Sequence, residues 1–315
     1  MLKIFKTANL DEKLNILKSL KESKSNLYNS LKRKYGSTYE KTLKSYQQGL
    51  KRNEKVIVSL TSYPPRMNKI TICIKSLLNQ YFKPDQVILW LAKEQYPNLE
   101  NDLPKALLRL KSKGLTISWC DDLKPHKKYY YTMKQNPDAV VITVDDDMNY
   151  PKSLIGKIYD SYLKNPHAVS CLRAHLIKFN SNGSLKKYKD WGFEDNTFVG
   201  KPTYRLLPTG VMGILYPPRA LPKDAFNKKA IKDNCLMTDD IWLKFMCTAN
   251  GYPTVLVEEQ GPIKCIDGTQ ESAISNFNVG IGNDTNINLT LRYCDKIFGK
   301  DLVKNRLIGH EDDKI

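Results

Sequence analysis

The sequence predicts an α/β protein built on a mostly parallel sheet flanked by helices, and three observations carry that expectation. From residue 55 onward, short apolar runs alternate with helical patterns. One run, Ala139-Val140-Val141-Ile142-Thr143-Val144, is continuous and rich in β-branched residues. It stops at three consecutive aspartates, Asp145, Asp146 and Asp147. Continuous apolar strands are those buried on both faces, as in parallel sheets covered by helices. Carboxylates at the end of such a strand sit at the edge where α/β folds open their ligand crevice.

Each element follows in order. Val56-Ile57-Val58-Ser59-Leu60 reads as the first strand, the polar stretch Thr61-Ser62-Tyr63-Pro64-Pro65-Arg66 as the loop after it, and Ile70 to Gln80 as a helix, with Ile70, Ile74, Leu77 and Leu78 at helical spacing. Gln86 to Leu91 is the second strand, Leu103 to Lys113 a helix stopped by Gly114, and Leu115 to Trp119 the third strand. The run before the aspartates then completes a βαβαβ series with right-handed crossovers. Both the Thr61 to Arg66 loop and Asp145 to Asp147 map to carboxyl ends of strands. Further on, Gly210 to Pro218 reads as a glycine-bounded loop entering a strand that Pro217 and Pro218 terminate. Thr238 to Met246 reads as a helix capped by Thr238 or a neighbouring Asp, with Ile241 and Phe245 turned to the core.

Length and charge set the organisation. A chain of 315 residues exceeds what one hydrophobic core usually supports, so one large domain with an accessory segment is expected. The divisions read as 1–52, a basic helical N-terminal segment, 53–294, the α/β domain, and 295–315, a C-terminal tail. Residues 1 to 55 carry fourteen Lys or Arg against five Asp or Glu, over half of the net charge of +17. Leu10, Leu14, Leu17 and Leu20, then Leu27, Leu31 and Tyr35, recur as amphipathic helices do. Such a face is either a solvated lysine-rich surface or a rest for anionic lipid head groups. Nucleic acid is disfavoured as a partner, because no recognition motif and no interleaving of aromatic and basic residues accompanies the charge.

No run reaches the roughly 18 apolar residues that span a bilayer, and lysines interrupt the N-terminus too early for a secretory signal. The expected location is cytoplasmic, peripheral on the inner face of the plasma membrane. Seven cysteines without a C-x-x-C pair argue against a disulfide framework and a zinc site, and for reduced thiols.

Two acidic motifs carry the chemistry, and each has a plain alternative. Three adjacent carboxylates repel one another unless water solvates them or a hard divalent cation sits among them, so Asp145 to Asp147 is either an acidic turn or a metal site. Asp239 and Asp240 fall in the first turn of a helix, where the macrodipole favours acids whatever their function. His175 and His310 are further metal-ligand candidates, a lone histidine being more often structural. Asn283-Asp284, with Gly280 and Gly282 beside it, reads as a mobile lid.

In series, the stretches Val58 to Arg66, Ser76-Leu77-Leu78-Asn79-Gln80, Lys83-Pro84-Asp85, Lys128-Tyr129, Thr143 to Asp147, Tyr150-Pro151, Gly210 to Pro218 and Asp239-Asp240-Ile241-Trp242 resemble the GT-A-type, Rossmann-like glycosyltransferases. The likeness is to the bacterial members that assemble capsule, exopolysaccharide and lipopolysaccharide O-chains, over residues 55 to 260. It implies a nucleotide-diphosphate sugar donor, UDP-linked, and a glycan or lipid-linked oligosaccharide acceptor. Thr61, Ser62, Tyr63 and Arg66 would then surround the nucleotide, with Arg66 on phosphate. Lys128, with Lys127 as fallback, would contact the diphosphate or the base. Asp145, Asp146 and Asp147 match the Asp-x-Asp signature, its register open by one. Asp145 would lie near the ribose or a metal-bound water, and Asp147 would hold Mn²⁺ or Mg²⁺. Asp240 would be the base of an inverting transfer, its proton affinity raised by Asp239. Gly210, Gly213 and Tyr216 would shape the acceptor pocket, with Trp191 or Trp242 stacking on a sugar, core packing being the alternative role for Trp242. Two rival classes remain: a sugar-phosphate or glycerol-phosphate transferase, and a non-catalytic protein that binds nucleic acid or membrane. A metal-dependent nuclease is weaker, for only one carboxylate cluster has a strand-end address.

Overall fold

The computed structural model describes residues 40–41, 43–261, 263, 265–269 and 281–309. The amphipathic helices expected over Leu10 to Tyr35, and Gly280 and His310, lie outside the described residues.

Strands β1 (Val56–Thr61), β2 (Gln86–Ala92), β3 (Leu115–Cys120) and β4 (Val140–Thr143) pair in parallel, with β1 central between β2 and β4. Helices α1 (Ile70–Leu78), α2 (Lys105–Leu108) and α3 (Lys127–Gln135) connect them. The helix expected over Leu103 to Lys113 is broken into α2 and short 3₁₀ turns, and it ends, as expected, at Gly114, whose φ of 105° a side chain would resist. After α4 (Leu154–Lys164), β5 (Val169–Cys171), β8 (Ile214–Tyr216) and β9 (Thr254–Leu256) extend the sheet to seven strands in the order β3-β2-β1-β4-β8-β5-β9. The short pair β6 (Ala174–Leu176) and β7 (Leu206–Pro208) stands apart from it.

The fold class read from the sequence therefore holds: a mostly parallel sheet flanked by helices. One strand departs from parallel. β8 runs antiparallel to both β4 and β5, so its entry loop lies at the same edge as the exits of β4 and β5.

Strand alternation divides the core. Val56, Val58 and Leu60 pack with Ile70, Ile74 and Leu77 of α1 and Leu154 and Ile158 of α4, while Ile57, Ile88, Trp90 and Val141 face the other way. A second large cluster joins β5, β8 and β9 to α5 (Lys228–Asn234), α6 (Asp239–Ala249), α7 (Ile281–Phe298) and α8 (Leu302–Ile308). The stretch read as a tail from 295 is thus, as far as residue 309, packed structure. Val303 and Leu307 are buried, and Arg306 donates to the carbonyls of Thr248 and Ala249 at 2.7 and 2.8 Å, closing the end of α6. At the other end, helical residues 43–48 dock on α4 through Tyr46 to Asp160 at 2.6 Å and Gln47 to the Ser153 carbonyl at 3.2 Å. Gly156 leaves room for this, since a Cβ there would fall 2.3 Å from the Gln47 side chain.

Candidate active site

The aspartates leave β4 directly, and the turn is fixed through its backbone. The Tyr150 hydroxyl donates to the Asp145 carbonyl at 3.1 Å and accepts the Asp145 N–H at 2.9 Å. Ser76 accepts the Tyr150 N–H at 3.1 Å, and Gln80 donates to the Pro151 carbonyl at 2.9 Å. These bonds give a physical reason for the Ser76 to Gln80 and Tyr150-Pro151 motifs. The Ile266 N–H donates to the Asp147 carbonyl at 2.7 Å, so residues 265–269 strap across the turn.

Arg66 and Ser62 are engaged differently from the sequence expectation. Both bind the carboxylate of Asp146, and Arg66 also reaches Asp147 Oδ2 at 3.3 Å and the Thr269 carbonyl at 3.3 Å. The guanidinium side chain is only 10% exposed and lies 5.6 Å from the Tyr63 ring centroid. Adjacent carboxylates at a buried strand end need a cation and a donor of their own, and Arg66 and Ser62 supply them. Burial, the largest influence, raises the Asp146 pKa even so, with Arg66 and Ser62 opposing. Thr61 donates to the Trp90 carbonyl at 2.9 Å, tying β1 to β2, and Tyr63 stays half-buried at the loop mouth.

The two acidic motifs, more than ninety residues apart in sequence, meet at Lys128. Its buried ammonium lies 2.8 Å from Asp145 Oδ1 and 3.0 Å from Asp239 Oδ2. Burial opposes its charge, but Asp145, Asp239 and Asp240 hold its pKa well above the ordinary value. Gly210, at the entry of β8, closes the junction: its N–H donates to Asp240 Oδ2 at 3.1 Å. A Cβ at that position would lie 2.9 Å from Asp145 Oδ1 and 3.0 Å from Lys128 Nζ, so only glycine admits the pair undisturbed.

Asp240 differs from its neighbours. Its Oδ1 is buried and has no hydrogen-bond partner among the described residues. Burial first, then the adjacent Asp239, push its pKa up to about 8, with Lys128 pulling the other way. A carboxylate with raised proton affinity and an open oxygen is suited to accept a proton near neutral pH.

Several expected site residues fall elsewhere. Trp191 and Tyr216 are buried at 4% and 2% exposure within the second core, so neither ring is presented to an acceptor; the Trp191 indole is occupied by the Lys186 carbonyl at 2.9 Å. Trp242 is core, as the alternative reading had it, donating to the Ala225 carbonyl at 3.0 Å. Gly213 adopts φ 82° where the chain turns into β8, which is a backbone requirement. Lys127 pairs with Asp122 at 2.5 Å, away from the junction. Asn283 and Asp284 sit in the first turn of α7, with Asn283 buried and Asp284 accepting the Tyr188 N–H at 2.7 Å, so they form an anchor and not a lid.

Arg173, which the sequence did not single out, stands at the exit of β5 beside Gly210, its carbonyl accepting the Thr209 N–H at 3.0 Å. The signal available was positional: parallel β5 ends at the same edge as β4.

Among the described residues no group of three or more His, Cys, Asp or Glu side chains converges as a ligand set. The donors present at the turn are nonetheless carboxylate oxygens, and the Asp145 side chain is 33% exposed. Hard cations that keep several oxygens from water and phosphate fit such a partial set.

No protein-family model and no curated protein matches the chain. Among solved structures it is similar to a 4-diphosphocytidyl-2C-methyl-D-erythritol synthase, at 9% identity and TM-score 0.43 over 73% of this chain and 100% of that one. It is also similar to the mannosyltransferase PcManGT from Pyrobaculum calidifontis in complex with GDP-Man and Mn²⁺, at 10% identity and TM-score 0.49 over 85% of this chain and 76% of that one. Among the described residues no helix is long and apolar enough to cross a membrane.

Proposed function

We propose that this protein is a metal-dependent glycosyltransferase that moves a sugar, with inversion, from a UDP-linked donor to a hydroxyl of a growing, lipid-linked bacterial surface glycan. The observation that carries the reading is the meeting of the strand-end aspartates with Asp239 and Asp240 across Lys128 and Gly210, which leaves Asp240 with a raised pKa and an open oxygen. In this reading Thr61 and Tyr63 border the nucleotide, and Arg66 and Ser62 act one step back by holding Asp146 and Asp147 in place. Asp147 and Asp145 are the residues that would hold Mn²⁺ or Mg²⁺, which when bound neutralises the departing nucleoside diphosphate. Asp240 takes the proton of the acceptor hydroxyl as that oxygen bonds to the anomeric carbon. Lys128 fixes the distance between the donor and acceptor sides by pairing with one acid of each. The basic N-terminal segment would bring the enzyme to an anionic membrane surface.

Thermal unfolding with a panel of nucleoside diphosphates, each with and without Mn²⁺, tests this, because a ligand bound only by the folded state raises its stability. A metal-dependent rise with one nucleotide, absent in Asp147→Asn, is the expected result. No rise with any nucleotide, under conditions where anionic vesicles or nucleic acid produce one, would move the protein to the binding class. Product mass separates sugar transfer from sugar-phosphate transfer.

A further inference from the structure

At the exit of β5, beside Thr209 and Gly210, Arg173 and His175 bring together more donors than the acceptors around them satisfy. His175 is 2% exposed, and its Nδ1 accepts the Glu194 N–H at 3.2 Å. Burial, followed by the charge of Arg173, pushes the His175 pKa down to about 3, so the ring is neutral at physiological pH. With Nδ1 accepting, the single ring hydrogen resides on Nε2. That atom lies 3.4 Å from an Arg173 terminal nitrogen, which has hydrogens and no lone pair to offer. A neutral ring offers one lone pair, and two donors, the Glu194 N–H and the Arg173 terminal nitrogen, face its two nitrogens, so one of them is left without an acceptor.

The rest of the Arg173 fork is held in place. The terminal nitrogen that faces His175 also donates to Thr209 Oγ1 at 2.9 Å, leaving the threonine hydroxyl hydrogen for a further acceptor. The other terminal nitrogen and Nε reach Glu194 Oε1 at 2.9 and 3.3 Å. Glu194 is the exposed member, its side chain 47% accessible against 18% for Arg173, so its carboxylate is an internal oxyanion that solvent can replace at small cost. Thr209 is joined directly to Gly210, whose N–H binds Asp240. Phe193, 45% exposed, packs its ring 4.5 Å from that of His175 and gives the spot an apolar wall.

We propose that Arg173, His175 and Thr209 form an oxyanion subsite, occupied by Glu194 at rest, which takes a carboxylate or phosphate group of the acceptor. The word acceptor rests on the transferase reading; the subsite itself rests on the donor geometry alone. Planar bidentate recognition is what an arginine fork in fixed orientation provides, and an oxygen placed between Arg173 and His175 satisfies both donors. The acceptor class that follows is anionic: a glycan bearing a uronic acid, or one bearing a phosphodiester.

Binding of D-glucuronate, of glycerol 3-phosphate and of neutral D-glucose is measured by titration calorimetry on the full chain, without donor or metal. The His175 ring nitrogens are followed by ¹⁵N NMR. Expected are an Nε2–H tautomer whose signal moves with an anion and not with glucose, and affinity that falls about tenfold or more in Arg173→Gln. Affinity rises in Glu194→Gln, a solvent-facing change that tests the subsite even if Arg173→Gln does not fold. The tighter of the two anions identifies the source. An Nδ1–H tautomer, or anion affinity unchanged in Glu194→Gln and in folded Arg173→Gln, would overturn the proposal. The titration reads no turnover, so anion binding without transfer in a separate activity assay sinks only the transferase reading. Transfer to neutral and anionic acceptors with equal kcat/KM, together with no anion binding, sinks only the subsite.

Discussion

The acids at the exit of β4 and those at the start of α6 are chemically alike but differently paired. Asp145, Asp146 and Asp147 each have a cation in contact, Lys128 for the first and Arg66 for the other two. Of the helix pair, Asp239 shares Lys128, while Asp240 receives one backbone N–H and keeps an oxygen open. Carboxylates in contact with a cation can help hold a ligand's counter-ion, whereas Asp240, its pKa raised to about 8 and one oxygen without a partner, can take up and release a proton near neutral pH. The difference divides one cluster into a binding part and a proton-transfer part, and Lys128 is the residue that belongs to both.

Breaking that division at the open acid has the largest expected effect. Asp240→Asn removes the proton acceptor while keeping its shape, and transfer should fall by about 10² to 10⁴-fold in kcat with nucleotide affinity retained. Equal losses in kcat and in nucleotide binding would instead assign Asp240 to the donor side. Next comes the shared cation. Lys128→Met leaves Asp145 and the buried Asp239 without their partner, and denaturant unfolding should show a loss of roughly 3–5 kcal/mol, the upper part discounted because Asp145 is a third exposed. Gly210→Ala pushes a Cβ against both members of the Lys128–Asp145 pair, and destabilisation of about 1–3 kcal/mol with reduced transfer is expected.

A smaller effect follows from proton linkage. The Asp240 pKa is raised in the fold, so the folded chain keeps a proton that the unfolded chain releases above its ordinary value of 3.8. The sign is therefore a stability contribution that is full at low pH, declines as pH rises, and levels off past about 8. Melting temperatures of wild type and Asp240→Asn between pH 5 and 8 should diverge in favour of the variant as pH increases. The smallest effect is expected at Lys127→Gln. That lysine pairs with Asp122, so nucleotide affinity should be unchanged, in contrast to its neighbour Lys128.

The strand-rich half was legible because its physics is local. Val56 to Leu60, Gln86 to Leu91 and the run before Asp145 are apolar on both faces, and the helix between the first two has a clear period, so their elements and the address of the aspartates could be read directly. Asp239 and Asp240 were found, but not why they lie beside Asp145. That depends on β8 running antiparallel, which three residues, Ile214 to Tyr216, do not encode in any periodicity. The burial of Trp191 and Tyr216 was not legible for a related reason: neither an aromatic in an irregular stretch nor one at the end of a three-residue strand has a pattern that tells core from crevice, and packing within the second core decided it. The contact of Arg66 with Asp146 was not legible, because the need of Asp146 for a cation is visible only once the two loops are side by side. Arg173 was missed altogether, since β5 is three residues long and its exit carries no motif.

The most direct measurement is the ionisation of Asp240 itself, followed by ¹³C NMR of the aspartate carboxyl carbons in wild type, with Asp240→Asn to assign the signal. A carboxyl titrating near pH 8, lost in the variant and lowered when Asp239→Asn removes the adjacent charge, is the expected outcome. A midpoint in the ordinary carboxylate range near 3.8 would mean that Asp240 is solvated or paired like the others, and the division between binding acids and a proton-accepting acid would fall with it.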